Sequence, residues 1–134
     1  MTVSQTLRDY FPDAVYASGC PSRVVLDHVT SKWGTLVLLA LSEGEPLRWS
    51  ELRRRAEGVS EKMLAQTLRL LESDGLVHRE ARPVVPPHVE YSLTPRGAEL
   101  AERMVPLMLW IVENAPDILA DAESAGAARA ALAR

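Results

Sequence analysis

Lys62, Gln66 and Arg69 fall at i, i+4 and i+7, and all three carry long, polar, hydrogen-bonding side chains. On an α-helix that spacing puts them on one stripe. Such a stripe can read duplex DNA, because an α-helix fits the major groove, where base edges display distinct patterns of donors and acceptors. Acid is sparse along it, Glu61 and Glu72 being the exceptions. Ser60, just upstream, has the hydroxyl of a helix N-cap and, together with the unpaired amides of a first helical turn, can hold a phosphate. Arg53, Arg54 and Arg55 form a basic run before it, and Arg79, Arg82 and His88 flank a proline-rich segment after it. These are further candidates for contact with a nucleic-acid backbone. Taken by periodicity alone, a polar stripe is usually just a solvated helix face; the hairpin after a single glycine, its stiff basic tip and the sparse acid weigh against that reading here.

Other chemistry is thinly represented. His28, His78 and His88 are scattered and, with Cys20, do not form a metal-ligand spacing. No glycine-rich phosphate loop, nucleophile elbow or paired carboxylate motif occurs, so neither enzymatic activity nor a metal or cofactor is expected. Trp33, Trp49 and Trp110 fit core packing better than a ligand cage, although a cavity between dimer helices could hold an aromatic effector. Cys20 has two readings. Placed before Pro21 at a helix start, its thiolate is favoured by the helix dipole, which makes it a candidate redox sensor. Free cysteine is also among the most buried residue types, which would leave it inert.

The elements that must position the stripe follow from local pattern. Pro21 can open a helix in which Val24, Val25, Leu26, Val29 and Trp33 recur every three or four residues, with Gly34 a break or a close contact. Thr35–Ser42 is apolar nearly all round, as a central buried helix is, and Gly44 ends it. Residues 46–49 suit no more than an edge strand, and Ser50–Ala56 reads as a two-turn helix closed by Gly58. Ser60 caps a helix from Glu61 to about Asp74, with Leu64, Leu68 and Leu71 on the face opposite the polar stripe and Gly75 as its stop. Leu76–Arg82 and His88–Leu93 make a hairpin with a proline-stiffened tip. Thr94 and Pro95 open a helix carrying Leu100, Met104, Leu107, Met108, Ile111 and Val112, which Pro106 should kink and Ala115-Pro116 should end. A last, alanine-rich helix is expected over Asp117–Leu132.

A chain of 134 residues with 47% apolar and 25% charged residues has the make-up of one ordinary folded domain. At this length about two-thirds of the unfolded surface can be buried, so no disulfide or metal staple is needed. The net charge of −3 argues mildly against a nucleic-acid partner, but it is unevenly spread: −1 over residues 1–20, +1 over 21–97 and −3 over 98–134. The middle segment could therefore present a cationic face on an acidic protein. No apolar run approaches the roughly 18 to 20 residues of a membrane span, and the first twelve residues have no secretory pattern. No membrane partner and a cytoplasmic location are expected.

The element order describes an α+β, mostly helical fold, a winged helix-turn-helix. The segments Cys20-Pro21, Lys32-Trp33, residues 50–54 (SELRR), 60–64 (SEKML), 68–77 (LRLLESDGLV) and 85–94 (VPPHVEYSLT) together resemble the HxlR-type regulators, winged-helix transcription factors related to the MarR group. The resemblance covers roughly residues 19–114. It implies a homodimer on a palindromic operator of double-stranded DNA, often a repressor that responds to oxidants, electrophiles or small aromatics. On matching positions it makes Ser60–Ser73 the recognition helix, which brings Met63 and Thr67 into the DNA-contacting set, and Arg79–His88 the wing. Several family members sense oxidants through a cysteine at the Cys20 position. The domains expected are an N-terminal arm over 1–18, the DNA-binding domain over 19–96 and C-terminal dimerisation helices over 97–134. Leu7, Tyr10 and Phe11 in the arm, and Leu107, Trp110, Ile111 and Leu119 at the other end, are candidates for a dimer interface; capping of the monomer core is the other reading. A winged helix used only for protein–protein contact is the alternative function, favoured by the net acidity.

Overall fold

The computed structural model describes Gln5, Asp9 and residues 18–133. Leu7, Tyr10 and Phe11 lie outside the described residues. The described elements are α1 (Pro21–Thr30), α2 (Lys32–Leu41), β1 (Leu47–Arg48), α3 (Trp49–Arg55), α4 (Glu61–Ser73), β2 (Val77–Arg82), β3 (His88–Leu93) and α5 (Pro95–Leu132). The chain divides into two compact units, residues 1–101 and 102–134.

The first unit is built on α2. Val37 and Leu38 are fully buried and Leu41 nearly so, and α2 packs against α1, α3 and α4. The junction between α1 and α2 falls at Ser31, earlier than the pattern suggests, so α2 starts at Lys32 rather than Thr35. Ser31 has extended backbone (φ −62°, ψ 147°) and its Oγ accepts the Gly34 amide at 3.1 Å, which satisfies one of the unpaired donors of the new helix. Gly34 is the close contact and not the break. A Cβ there would stand 2.2 Å from the His28 carbonyl oxygen, inside any tolerable separation.

Local capping chemistry sets the remaining helices. In α3 the Glu51 Oε1 accepts the Arg48 amide at 3.1 Å, returning to the start of its own first turn. In α4 the Ser60 Oγ accepts the Met63 amide at 3.1 Å, and the helix stops before Gly75, whose φ is +74°. Leu64, Leu68 and Leu71 are at most 2% exposed and, with Leu38 and Leu52, form the centre of the core. Fully burying one such leucine is worth roughly 1.5–3 kcal/mol over leaving it exposed.

The sheet has the antiparallel order β1-β3-β2. Val77 faces Leu93, Arg79 faces Tyr91 and Arg82 faces His88 across β2 and β3, while Leu47 pairs with Tyr91 on the other side. Of β2 only Val77 is buried, whereas β3 keeps Tyr91 buried and its other residues half-buried, so β2 is the outer strand of the hairpin. The Thr94 Oγ1 donates to the Gly75 carbonyl at 2.6 Å and accepts the Gly97 amide at 3.0 Å, which locks the start of α5 to the end of α4.

The C-terminal expectation needs correction. One helix runs from Pro95 to Leu132 through both Pro106 and Pro116, with no end at Ala115-Pro116 and no separate last helix. Each proline removes one backbone hydrogen bond. Both prolines are exposed, so the carbonyls they release can turn to water, and the alanine-rich continuation has high intrinsic helix propensity.

Candidate nucleic-acid interface

The two faces of α4 separate as the spacing requires. Lys62, Gln66 and Arg69 are exposed opposite the leucine seam, and none has a hydrogen bond or ion pair among the described residues. Seven residues at 1.5 Å rise place Lys62 and Arg69 about 10 Å apart along the axis, the length of roughly three base-pair steps. Met63 adds a half-exposed thioether. Thr67 is different: it is only 7% exposed, because it stands three residues after Leu64 and four before Leu71 and so shares the core face. Its hydroxyl offers a groove little surface, a placement the leucine spacing already contained.

The basic run before α4 is partly engaged. Arg53 Nη1 donates to Glu61 Oε1 at 3.1 Å, and Arg55 donates to Glu43. Arg54 alone of the three has no such partner among the described residues. These pairs are exposed and screened, so they add little stability, but they place carboxylates beside cations that a phosphate would otherwise use.

The wing shows the same feature at its base. Arg48 donates to His88 Nδ1. An arginine can only donate, so His88 carries its proton on Nε2, which donates to Glu90 Oε1 at 2.7 Å. Arg82 Nη2 lies 3.4 Å from the other Glu90 oxygen. The His88 hydrogen bond, aided by the Arg82 charge and opposed by partial desolvation, holds the Glu90 carboxyl below its ordinary value. Arg82 and His88 are therefore tied to Glu90, whereas Arg79 is exposed and unpaired among the described residues. Arg48 was not singled out from the sequence; the signal for it is the β1–β3 pairing, which sets it beside the wing.

Arg69 of α4 and Arg79 of β2 line one cleft of about 340 Å³ with Trp49, Leu68, Glu72 and Tyr91. Helix α4 and the β2–β3 hairpin thus share a continuous surface. At the far end of α4, His28 Nδ1 donates to the C-cap carboxylate of Asp74 at 2.8 Å, with side chains only 20% and 15% exposed. That contact ties α1 to the helix carrying the stripe.

Cys20 is the N-cap residue of α1 and half-buried, neither interior nor fully open. No side-chain cap bond closes on the helix, but the Ser22 amide favours the thiolate and, against some desolvation, holds the thiol below its ordinary value. Within the second unit, Leu107, Trp110 and Leu119 are all more than half exposed and Ile111 is 40% exposed; Trp110 is not a core residue. Among the described residues no group of three His, Cys, Asp or Glu side chains could hold a metal ion, and no single helix is long and apolar enough to cross a membrane.

The HxlR-like helix-turn-helix family model matches residues 28–118. The HTH-type transcriptional regulator YtfH of Escherichia coli K12, described as uncharacterized, is 54% identical over 120 residues, 90% of this chain and 92% of that protein. Among solved structures, the putative transcriptional regulator ytfH from Salmonella typhimurium gives a TM-score of 0.76 at 56% identity, covering 81% of this chain and 96% of the other. The redox regulator HypR in its oxidized form gives 0.65 at 38% identity, with 71% and 97% covered.

Proposed function

The chain belongs to the HxlR-like helix-turn-helix family of transcriptional regulators, and on that premise we propose that it acts as a homodimeric repressor on a palindromic operator, released by oxidants, electrophiles or small aromatic compounds. The observation that carries the reading is the outward stripe of Lys62, Gln66 and Arg69, unpaired among the described residues and backed by a fully buried leucine seam. In the complex α4 lies in the major groove, where Gln66 and Arg69 contact base edges while Ser60, Arg54 and Arg79 contact phosphates. Met63 adds an apolar contact. The wing lies over the adjacent minor groove or backbone.

Two copies related by a two-fold axis place two such helices about one DNA turn, roughly 34 Å, apart. The exposed Leu107, Trp110, Ile111 and Leu119 of α5 supply apolar surface for that pairing; Leu7, Tyr10 and Phe11, outside the described residues, are the further candidates from the sequence. Cys20 is the redox sensor in this reading. The chain has one cysteine, so oxidation either joins two subunits or caps the thiol. The similarity to HypR, named a redox regulator, supports this assignment.

The test is a gel-shift of the full-length chain on DNA upstream of its own gene, compared with unrelated DNA across a salt series. A specific complex that weakens steeply with salt is expected. The carboxylates already paired to Arg53, Arg55 and Arg82 favour a second reading, a winged helix that binds only protein. Absence of a specific complex at physiological ionic strength selects that reading instead.

A further inference from the structure

The five residues joining β2 to β3, Pro83-Val84-Val85-Pro86-Pro87, contain no charged side chain and no side-chain hydrogen-bonding group. Val84 is 51% exposed and Val85 99%. The nearest cation, Arg82, and the neighbouring imidazole of His88 are both bound to Glu90 at the base of the hairpin. The tip therefore brings no cation to the duplex and cannot contribute the counterion release that dominates phosphate binding. It offers instead an apolar knob whose prolines restrict the backbone, held at the end of two paired strands.

Its position follows from the cleft shared by Arg69 and Arg79, which sets β2 beside the recognition helix. From Arg79 to Pro83 is four residues, about 13 Å of extended strand, and the turn at Val84 and Val85 reaches a few ångströms more. Half a turn of duplex DNA is about 17 Å. With α4 in a major groove, the next minor groove lies within reach of Val85.

We propose that the wing tip is an apolar wedge for the minor groove: Val85, backed by Val84 and Pro86, presses against sugar and base edges and selects sites that bend or unstack easily. The proposal rests on the DNA-binding reading above and adds the kind of recognition the wing performs. Apolar side chains inserted at base steps are an established way to kink a duplex, and pyrimidine–purine steps yield most readily. Sequence preference at that position then arises from deformability, without base-specific hydrogen bonds.

The experiment uses the full-length chain and a duplex that it enriches from a random-sequence pool. Val85 is almost wholly exposed, so Val85→Ser leaves the fold intact. The variant is expected to bind the enriched duplex about tenfold more weakly, to bend it less in circularly permuted mobility assays, and to keep the wild-type salt dependence. Its own enriched pool should lose the TA or CA steps centred about five base pairs from the α4 contact. Arg79→Ala is the contrast, lowering the salt slope by about two for the dimer, one per half-site. Unchanged affinity and bend for Val85→Ser overturn the wedge, as does a defect seen only in transcription reactions containing RNA polymerase, which assigns the tip to a protein contact. A wild-type chain that enriches no sequence overturns the DNA-binding reading itself, and the wedge with it.

Discussion

Replacing Gln66 by alanine tests the reading function proposed for α4. Gln66 is exposed and has no hydrogen-bond partner among the described residues, so its removal breaks nothing within the subunit. Surface changes of this kind stay within about 0.5 kcal/mol of wild-type stability, and a change in DNA affinity therefore reports the complex alone. Gln66 sits midway on the stripe, about 6 Å from Lys62 and 4.5 Å from Arg69 along the helix axis, and so in the proposed complex would face the middle of the three base-pair steps that the stripe matches. A side-chain amide that pairs with a base edge is worth about 1–3 kcal/mol of discrimination. A two-fold dimer loses the contact at both half-sites, which gives about 2–6 kcal/mol per operator, a weakening of at least thirtyfold. The assay is fluorescence anisotropy with operator and scrambled duplexes, each at two salt concentrations. Operator binding should fall by that factor while scrambled binding and the salt slope stay near wild type. Equal loss on both duplexes would reassign Gln66 to the phosphate backbone, and no loss on either would remove α4 from the interface.

Leu64→Ala, at a fully buried position between α4 and the core, should cost about 2–5 kcal/mol; an unchanged urea midpoint would contradict the leucine seam. Cys20→Ser should abolish release of operator DNA by peroxide or quinone, together with any oxidant-dependent dimer band on a non-reducing gel, and release that survives the change would show that another group is the sensor. Glu90 has a folded-state value below its ordinary one, chiefly through the His88 hydrogen bond. Its contribution to stability is therefore complete above the ordinary glutamate range, about 4.3, and is lost as pH falls through the lower folded-state value. Glu90→Gln should flatten the acid limb of a plot of urea midpoint against pH, and an identical limb in both proteins would contradict the assignment.

The elements of the first unit were legible because their signals are local. Ser60 three residues before Met63, Thr94-Pro95 before Gly97, and leucines at i, i+4 and i+7 are relations within a turn or two of helix, and the chain carries them whatever the rest of it does. The burial of Thr67 belongs to this group as well, since its spacing from Leu64 and Leu71 places it on the core side. The α1–α2 junction was harder. Glycine signals a break by propensity, but Ser31 had the better capping geometry, and Gly34 was needed for an approach to His28 that no side chain permits.

By itself the chain determined the helix-turn-helix, the hairpin after it, and a polar stripe opposite a leucine seam. Tertiary structure decided which basic side chains are already occupied. Arg53 meets Glu61, Arg55 meets Glu43, Arg82 and His88 meet Glu90, and His28 meets Asp74. Partners separated by up to 46 positions come together only when the chain folds; of these pairs His88–Glu90, two residues apart on one strand, is the one that local alternation contains. The same holds for α5: proline is a strong local breaker, yet one helix runs through both Pro106 and Pro116 into an alanine-rich stretch of high helix propensity. Local patterns state what each segment can form, whereas long-range pairing and solvent access decide which charges remain for a partner.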